Sequence, residues 1–150
     1  MTNKARWQGR FEIYINGQLE AVIDNRVMDA ALDKLINSLT GVDPDLEIKY
    51  LALGTDNTAV TDSDTTLGTE IFRTAPTTGP SNTDTGEVTS EFVVLDSEAV
   101  ATIEEIGIFA GSTATAAADS GTLVSRILWN KVKTNTMEIN FKRVDKIIRG

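Results

Sequence analysis

The chain has 150 residues, 41% hydrophobic and 24% charged, with a formal net charge of −8; this is the composition of one globular domain, not of a disordered or fibrous chain. It contains no Cys and no His, which excludes disulfides, thiolate nucleophiles, the usual zinc ligands and both Ser-His-Asp and Cys-His catalysis. No stretch approaches the roughly 20 apolar residues that span a bilayer, and the opening Met-Thr-Asn-Lys-Ala-Arg-Trp has no apolar run behind its basic residues as a secretory signal would, so the expectation is a soluble protein made in a cytoplasm.

Residues 11–15 (Phe-Glu-Ile-Tyr-Ile) alternate with the period of a strand. Asn16-Gly17 follows, a type I′ hairpin signal because both positions must take positive φ, and residues 18–23 return as the partner strand. Val27, Met28, Ala31, Leu32, Leu35, Ile36 and Leu39 recur at helical spacing. Asp24 or Asn25 is placed to cap that helix, Gly41 to end it, and Pro44 to forbid continuation; its apolar face is expected to pack on a sheet. Residues 48–53 read as a strand ending at Gly54, 55–66 as a Thr/Asp-rich loop, and 67–73 as a short strand or helical turn. The Thr/Pro/Gly/Asn stretch 74–86 has no apolar period and reads as a long exposed loop. Strands are expected at 87–95, 102–109, 122–129 and 136–143, with a small-residue polar segment at 110–121. Seven or eight strands and one helix, at this spacing and without a linker, predict a single mainly β domain over 1–150: an antiparallel β-sandwich with one N-terminal helix packed against it.

The charge is uneven. Residues 1–10 hold Lys4, Arg6 and Arg10 with no acid, a balance of +3; residues 131–150 hold Lys131, Lys133, Lys142, Arg143, Lys146 and Arg149 against Glu138 and Asp145, a balance of +4. The intervening 120 residues therefore carry −15 of the net −8. Two basic ends on an acidic body suit docking onto an acidic neighbour, such as a second copy of the chain, and suit solvated, incidental ends equally well. An acidic body repels phosphate, which disfavours nucleic acid.

Tests for chemistry are mostly negative. Asp56, Asp62 and Asp64 crowd one loop, but counting from Asp62 puts Leu67 and Arg73 where an EF-hand needs Gly and Glu, so the loop reads as solvated turns. Glu104 and Glu105 are adjacent on a strand and face opposite sides, so they do not make an acid/base pair; one is expected in solvent and the other on a base such as Arg73 or Arg126. Glu70 and Arg73 would pair if their segment were a helical turn. No glycine pattern makes a phosphate cradle. Trp129 ends an apolar strand and suits the core; Trp7, flanked by Arg6 and Arg10, suits a subunit interface.

In chain order, Tyr50-Leu-Ala-Leu-Gly-Thr55, a Thr/Asp loop and Thr66-Leu-Gly-Thr-Glu-Ile-Phe-Arg73 are similar to an aromatic strand ending in Gly-Thr, a variable loop and Leu-x-x-Glu-x-x-Arg in a bacteriophage family of tail fibre, collar and related minor structural proteins. Ile103-Glu-Glu-Ile-Gly-Ile-Phe109 and Thr122-Leu-Val-Ser-Arg126 resemble its Ile-x-Glu-Ile-Gly-Leu-Phe and Thr-Leu-x-x-Arg, Lys131 fits a Lys after the latter, and 137–141 looks like its closing strand. The likeness spans most of 11–143, and the basic tail 144–150 has no counterpart. It implies a non-enzymatic virion protein, assembled in the host bacterial cytoplasm with other virion proteins, with no catalytic residue, cofactor or metal, and with Gly54, Glu70, Arg73, Glu105, Gly107 and Arg126 as structural motif positions. Taken with the charge pattern, it leads us to expect a homo-oligomer assembling through Lys4, Arg6, Trp7, Arg10, Lys142, Arg143, Lys146 and Arg149, with no membrane partner. A second reading is a receptor- or host-glycan-binding module presenting loops 55–66, 74–86 and 110–121, or a head decoration protein; a carboxylate-only hydrolase comes third.

Overall fold

The computed structural model describes residues 5–149. Its first two strands, β1 (Arg6–Ile15) and β2 (Gln18–Arg26), form the expected hairpin. Asn16 and Gly17 both take positive φ, 49° and 83°, as the tight turn requires.

The chain is mostly β. After α1 (Asp29–Asn37) and a 3-10 turn (Ser38–Thr40) come β3 (Ile48–Gly54), β4 (Glu70–Thr74), β5 (Thr78–Asp84), β6 (Glu87–Val94), β7 (Thr102–Ala110), β8 (Thr122–Val132) and β9 (Ile139–Ile148). They build two antiparallel sheets, one ordered β2-β1-β9-β6-β5 and the other β4-β3-β7-β8. Phe11, Ile13, Phe92, Val94, Ile139 and Phe141 of the first sheet and Leu51, Leu53, Ile103, Ile106, Ile108 and Val124 of the second belong to one fully buried apolar cluster. The sheets thus share a core in a sandwich-like arrangement, and alternate positions on β1, β6 and β9 feed it in the two-residue period of a strand. Trp129 packs against this core, edge-on to Phe141 with ring centroids 6.0 Å apart.

Three expectations need correction. The helix is third in chain order, behind two strands, and Asp24 and Asn25 lie within β2; its N-cap is Met28, which makes no side-chain cap. Gly41 does end the helical segment in the left-handed conformation, φ 84°. The helix lies near β8, with the Met28 amide donating to the Val124 carbonyl. Ala31 is its one buried residue, whereas Leu32, Ile36 and Leu39 are exposed, Leu39 at 79%, so the apolar face is only partly covered.

Residues 78–84 form an edge strand, not a loop. Backbone pairing with β6 holds it while its side chains stay mostly exposed, so no apolar period marks it. Proline is tolerated there because an edge strand has one unpaired side.

Of the two forms expected for 67–73, a short strand or a helical turn, the structure has the strand, over 70–74. A register shift opposite Leu53 and Gly54 leaves Ile71 as an extra residue, and such a bulge resets the alternation of faces. Last, the closing strand is not confined to the expected 136–143: β9 runs from Ile139 through Ile148, so most of the basic tail lies beside β1 inside the five-stranded sheet.

Candidate functional site

The outer face of the four-stranded sheet carries a second small apolar cluster. Ala52, Phe109 and Leu123 of the sheet are joined there by Leu67 and Ala114 from the loops 55–69 and 111–121, with Tyr50 packed alongside. Polar loops alone would not hold such positions, and two ion-pair centres fix them.

The first centre is Glu105 on β7, which is fully buried. Its carboxylate accepts backbone N–H bonds from Asp56 (2.8 Å), Gly68 (2.6 Å) and Thr69 (3.0 Å), and a bond from Arg126 Nε (3.0 Å). Arg126, 4% exposed, also donates to the Thr58 and Asp56 carbonyls and to Asp64 Oδ2 at 3.3 Å. One Glu–Arg pair from adjacent strands thereby satisfies both ends of the 55–69 loop. Two glycines make the approach possible. A Cβ on Gly54 would stand 2.5 Å from the Thr69 carbonyl and 2.7 Å from Glu105, and one on Gly107 would stand 2.7 Å from Leu67.

The second centre is Glu70 with Arg73, joined at 2.7 and 2.8 Å in a two-pronged pair. The bulge at Ile71 puts these residues, three apart, on one face. Arg73 Nη1 donates to the Thr115 carbonyl (2.8 Å) and to the Ser120 carbonyl and hydroxyl, and the Asp119 amide donates to Glu70. The guanidinium lies over Phe109 (4.5 Å) and Tyr50 (5.2 Å), adding cation–π attraction. Asp45 ties the far end of the 111–121 loop, accepting from the Ser112 amide and hydroxyl at 2.8 and 2.9 Å.

The loop aspartates are held ionised. The Thr58 hydroxyl and amide keep Asp56 below the ordinary carboxyl range, with Arg126 adding to the effect. Burial pushes Asp64 up, but the Thr61 hydroxyl and amide together with Arg126 outweigh it. Among the described residues, no group of three or more acidic side chains is arranged to hold a metal ion.

The sequence-predicted residues therefore divide into two sets. Gly54, Glu70, Arg73, Glu105, Gly107 and Arg126 come together around the two loops, with Arg126 taking Glu105 while Glu104 stays at the surface on Asn130. The terminal residues do not form one patch. Lys4 lies outside the described residues. Arg10 and Lys142 share the outward face of the five-stranded sheet with Lys146, where Glu12 meets Arg10 at 3.0 Å and Glu87 meets Lys146 at 3.7 Å; Arg149 is exposed beyond β9.

Arg143 is not a surface residue: it is fully buried. It bonds Asp145 and, at 2.9 Å, Asn25 Oδ1, and it lies 4.7 Å from the Phe11 ring. It points inward because it sits two positions from Phe141 on β9, and Gly9 opposite Asp145 leaves space for its guanidinium. Trp7 is half-buried, with its indole N–H on Asp145 at 3.0 Å.

Between α1 and the ends of β1, β2 and β9 runs a groove of about 500 Å³, lined by Arg6, Trp7, Arg26, Leu32, Ile36 and Ile147 among others. Sequence reasoning picked out Arg6 and Trp7 but not their meeting with the uncovered helix face. It also missed Lys133, which is buried with its ammonium on the Leu95 and Asp96 carbonyls; burial lowers its pKa against the pull of Asp96 and Glu98. Lys133 follows an alternating strand, and no local signal marks it as inward.

Comparison with protein-family models, with curated proteins and with solved structures gives no match. Among the described residues, no helix is long and apolar enough to cross a membrane.

Proposed function

We propose that the chain is a non-enzymatic structural subunit of a bacteriophage virion, a tail, collar or fibre-associated β-sandwich that forms a homo-oligomer and joins other virion proteins in the host cytoplasm. The observation that carries the assembly reading is the groove beside α1. Leu32, Ile36 and Ile147 are 42%, 57% and 43% exposed there, beside a half-buried Trp and flanked by Arg6 and Arg26. Apolar surface with Trp and Arg and without Lys is the composition of an interface centre. Asp29 and Asp62 also line the groove, Asp62 meeting Arg26 at 3.1 Å, so it presents both signs of charge; we take a second copy as the occupant, because a two-fold contact brings the same groove, with both signs, against itself.

Two features support a non-catalytic role. The chain has no imidazole or thiol, and its buried Glu105 and Glu70 are already engaged by arginines and backbone amides. The phage assignment itself rests on the ordered motif resemblance. In support of it, the six motif residues act together to hold two loops, as a recurring scaffold would.

Terminal deletions do not test assembly, since β1 and β9 belong to the sheet. Point changes do. Sedimentation of the intact chain is expected to show an oligomer, and Ile36→Asp with Arg6→Glu is expected to give a monomer with an unchanged circular dichroism spectrum. A wild-type chain that stays monomeric at every concentration, and does not co-assemble with virion proteins, removes the proposal.

A further inference from the structure

Inward positions of the five-stranded sheet are apolar along most of its length, but two adjacent rows are not: one holds the buried Arg143 and Ser90, and the next crosses the whole sheet. Asn25, Gly9, Asp145, Val88 and Asn82 stand opposite one another on successive strands across the whole sheet. At the β5 end of this row a cleft of about 300 Å³ opens between the sheets. Trp7, Ile48, Pro80 and Val88 give it apolar walls, and Asp145, Asn82 and Glu47 give it polar ones.

Asp145 is 7% exposed and its charge is already met by the fully buried Arg143. Its Oδ1 accepts from Trp7 Nε1 and from Arg143, whereas Oδ2 accepts only a 3.2 Å bond from Arg143 Nε. A carboxylate oxygen has room for more than one donor, so Oδ2 keeps acceptor capacity without offering uncompensated charge. A cation would gain little here, because Arg143 meets Asp145 and Lys49 meets Glu47, each at 3.0 Å. An anion would meet the Asp145 and Glu47 carboxylates. A neutral ring with an apolar face and hydroxyl groups fits both halves: its C–H face against Trp7, Pro80 and Val88, its hydroxyls on Asp145 Oδ2 and Asn82. Few convergent polar groups in a mostly apolar concavity are the general form of a small-ligand site.

We propose that this cleft binds one neutral sugar ring. The site is separate from loops 55–69 and 111–121, and it shares only Trp7 with the groove of the proposed oligomer.

The test uses the full chain carrying Trp129→Phe, so that Trp7 alone reports by fluorescence. Glucose, galactose, N-acetylglucosamine and rhamnose are titrated, with glucosamine and glucuronate as charged controls. At least one neutral sugar is expected to give a saturable change with a dissociation constant of about 1 mM, the level that a dozen ligand atoms with a few contacts support. Asn82→Trp, an exposed change on an edge strand whose side chain shares the inward face with Val88, should weaken that binding at least tenfold with the fold intact, and Asn82→Ala should weaken it less. Asp145→Asn is a poorer probe because it strands Arg143. No saturable change with any neutral sugar overturns the proposal, as does binding that Asn82→Trp leaves intact or a preference for glucosamine. Sedimentation of the same variants reports separately on assembly, so either proposal fails without the other.

Discussion

A glutamate with no exposed surface is stable only if every lone pair that leaves water finds a donor. Glu105 meets this with three backbone amides and Arg126. Taking away one partner therefore costs far more than the net worth of the pair, because the other charge remains buried. Arg126→Met is expected to destabilise the chain by about 3–5 kcal/mol in urea unfolding and to release the 55–69 amides in hydrogen exchange. Removing both partners, as Glu105→Gln with Arg126→Met, is expected to cost less than the sum of the single changes; full additivity would mean that the two side chains do not act as a unit. Arg143 follows the same logic around Asp145, and Gly9 adds a steric condition. A Cβ at Gly9 would overlap the guanidinium, and that group is buried and bonded on several sides, so it has little room to withdraw. Gly9→Ala is expected to cost about 1–3 kcal/mol, the range for overpacking a filled interior, and unchanged stability would show that Arg143 is freer than its contacts indicate.

Among the elements, the opening hairpin tests backbone conformation free of packing. Gly17 has φ 83°, and nothing would stand within 4 Å of an added Cβ. Gly17→Ala should therefore lose only the left-handed penalty, about 1–2 kcal/mol, measurable as a lowered unfolding midpoint with an unchanged denaturant slope. This hairpin was legible because Asn16-Gly17 and the alternation of Phe11, Ile13 and Ile15 are local signals of one structure. So were β3, β6, β7 and β8, whose apolar residues recur with the strand period. β5 was not legible, since Thr-Gly-Pro-Ser-Asn-Thr-Asp buries almost nothing and is a strand only because β6 offers a free edge. The Glu70–Arg73 pair was foreseen on spacing alone but for a helical turn; the bulge at Ile71 gives the same juxtaposition on a strand, and a bulge has no composition of its own here. The candidate site was half legible. The motif residues of the loop face could be named from order along the chain, whereas the inward turn of Arg143 and the joining of Trp7 to the helix groove are set by which strands become neighbours.

In the whole molecule, charge is distributed so that the fold depends on ionised carboxylates at the loop face. Asp45, Asp56 and Asp64 all have pKa values lowered below the ordinary aspartate value of about 3.9. Ser112 does this to Asp45 through its amide first and then its hydroxyl, Thr58 to Asp56, and Thr61 with Arg126 to Asp64 against the opposing effect of burial. A group with a depressed native pKa stabilises the fold fully above its unfolded value and loses that contribution as the pH falls through the native one. The loops should therefore hold unchanged from neutrality down to about pH 4 and loosen below it. The sheets have buried apolar clusters that do not titrate, so β6, β7 and β9 should keep their exchange protection after residues 55–69 and 111–121 have lost theirs. Asp56→Asn supplies the control. It should lower stability at neutral pH, since the amide is a weaker acceptor for Thr58, and flatten the fall of stability with acid, since one proton-binding site has gone. If that slope stays as steep as in the unaltered chain, Asp56 is not among the groups that link this loop face to pH.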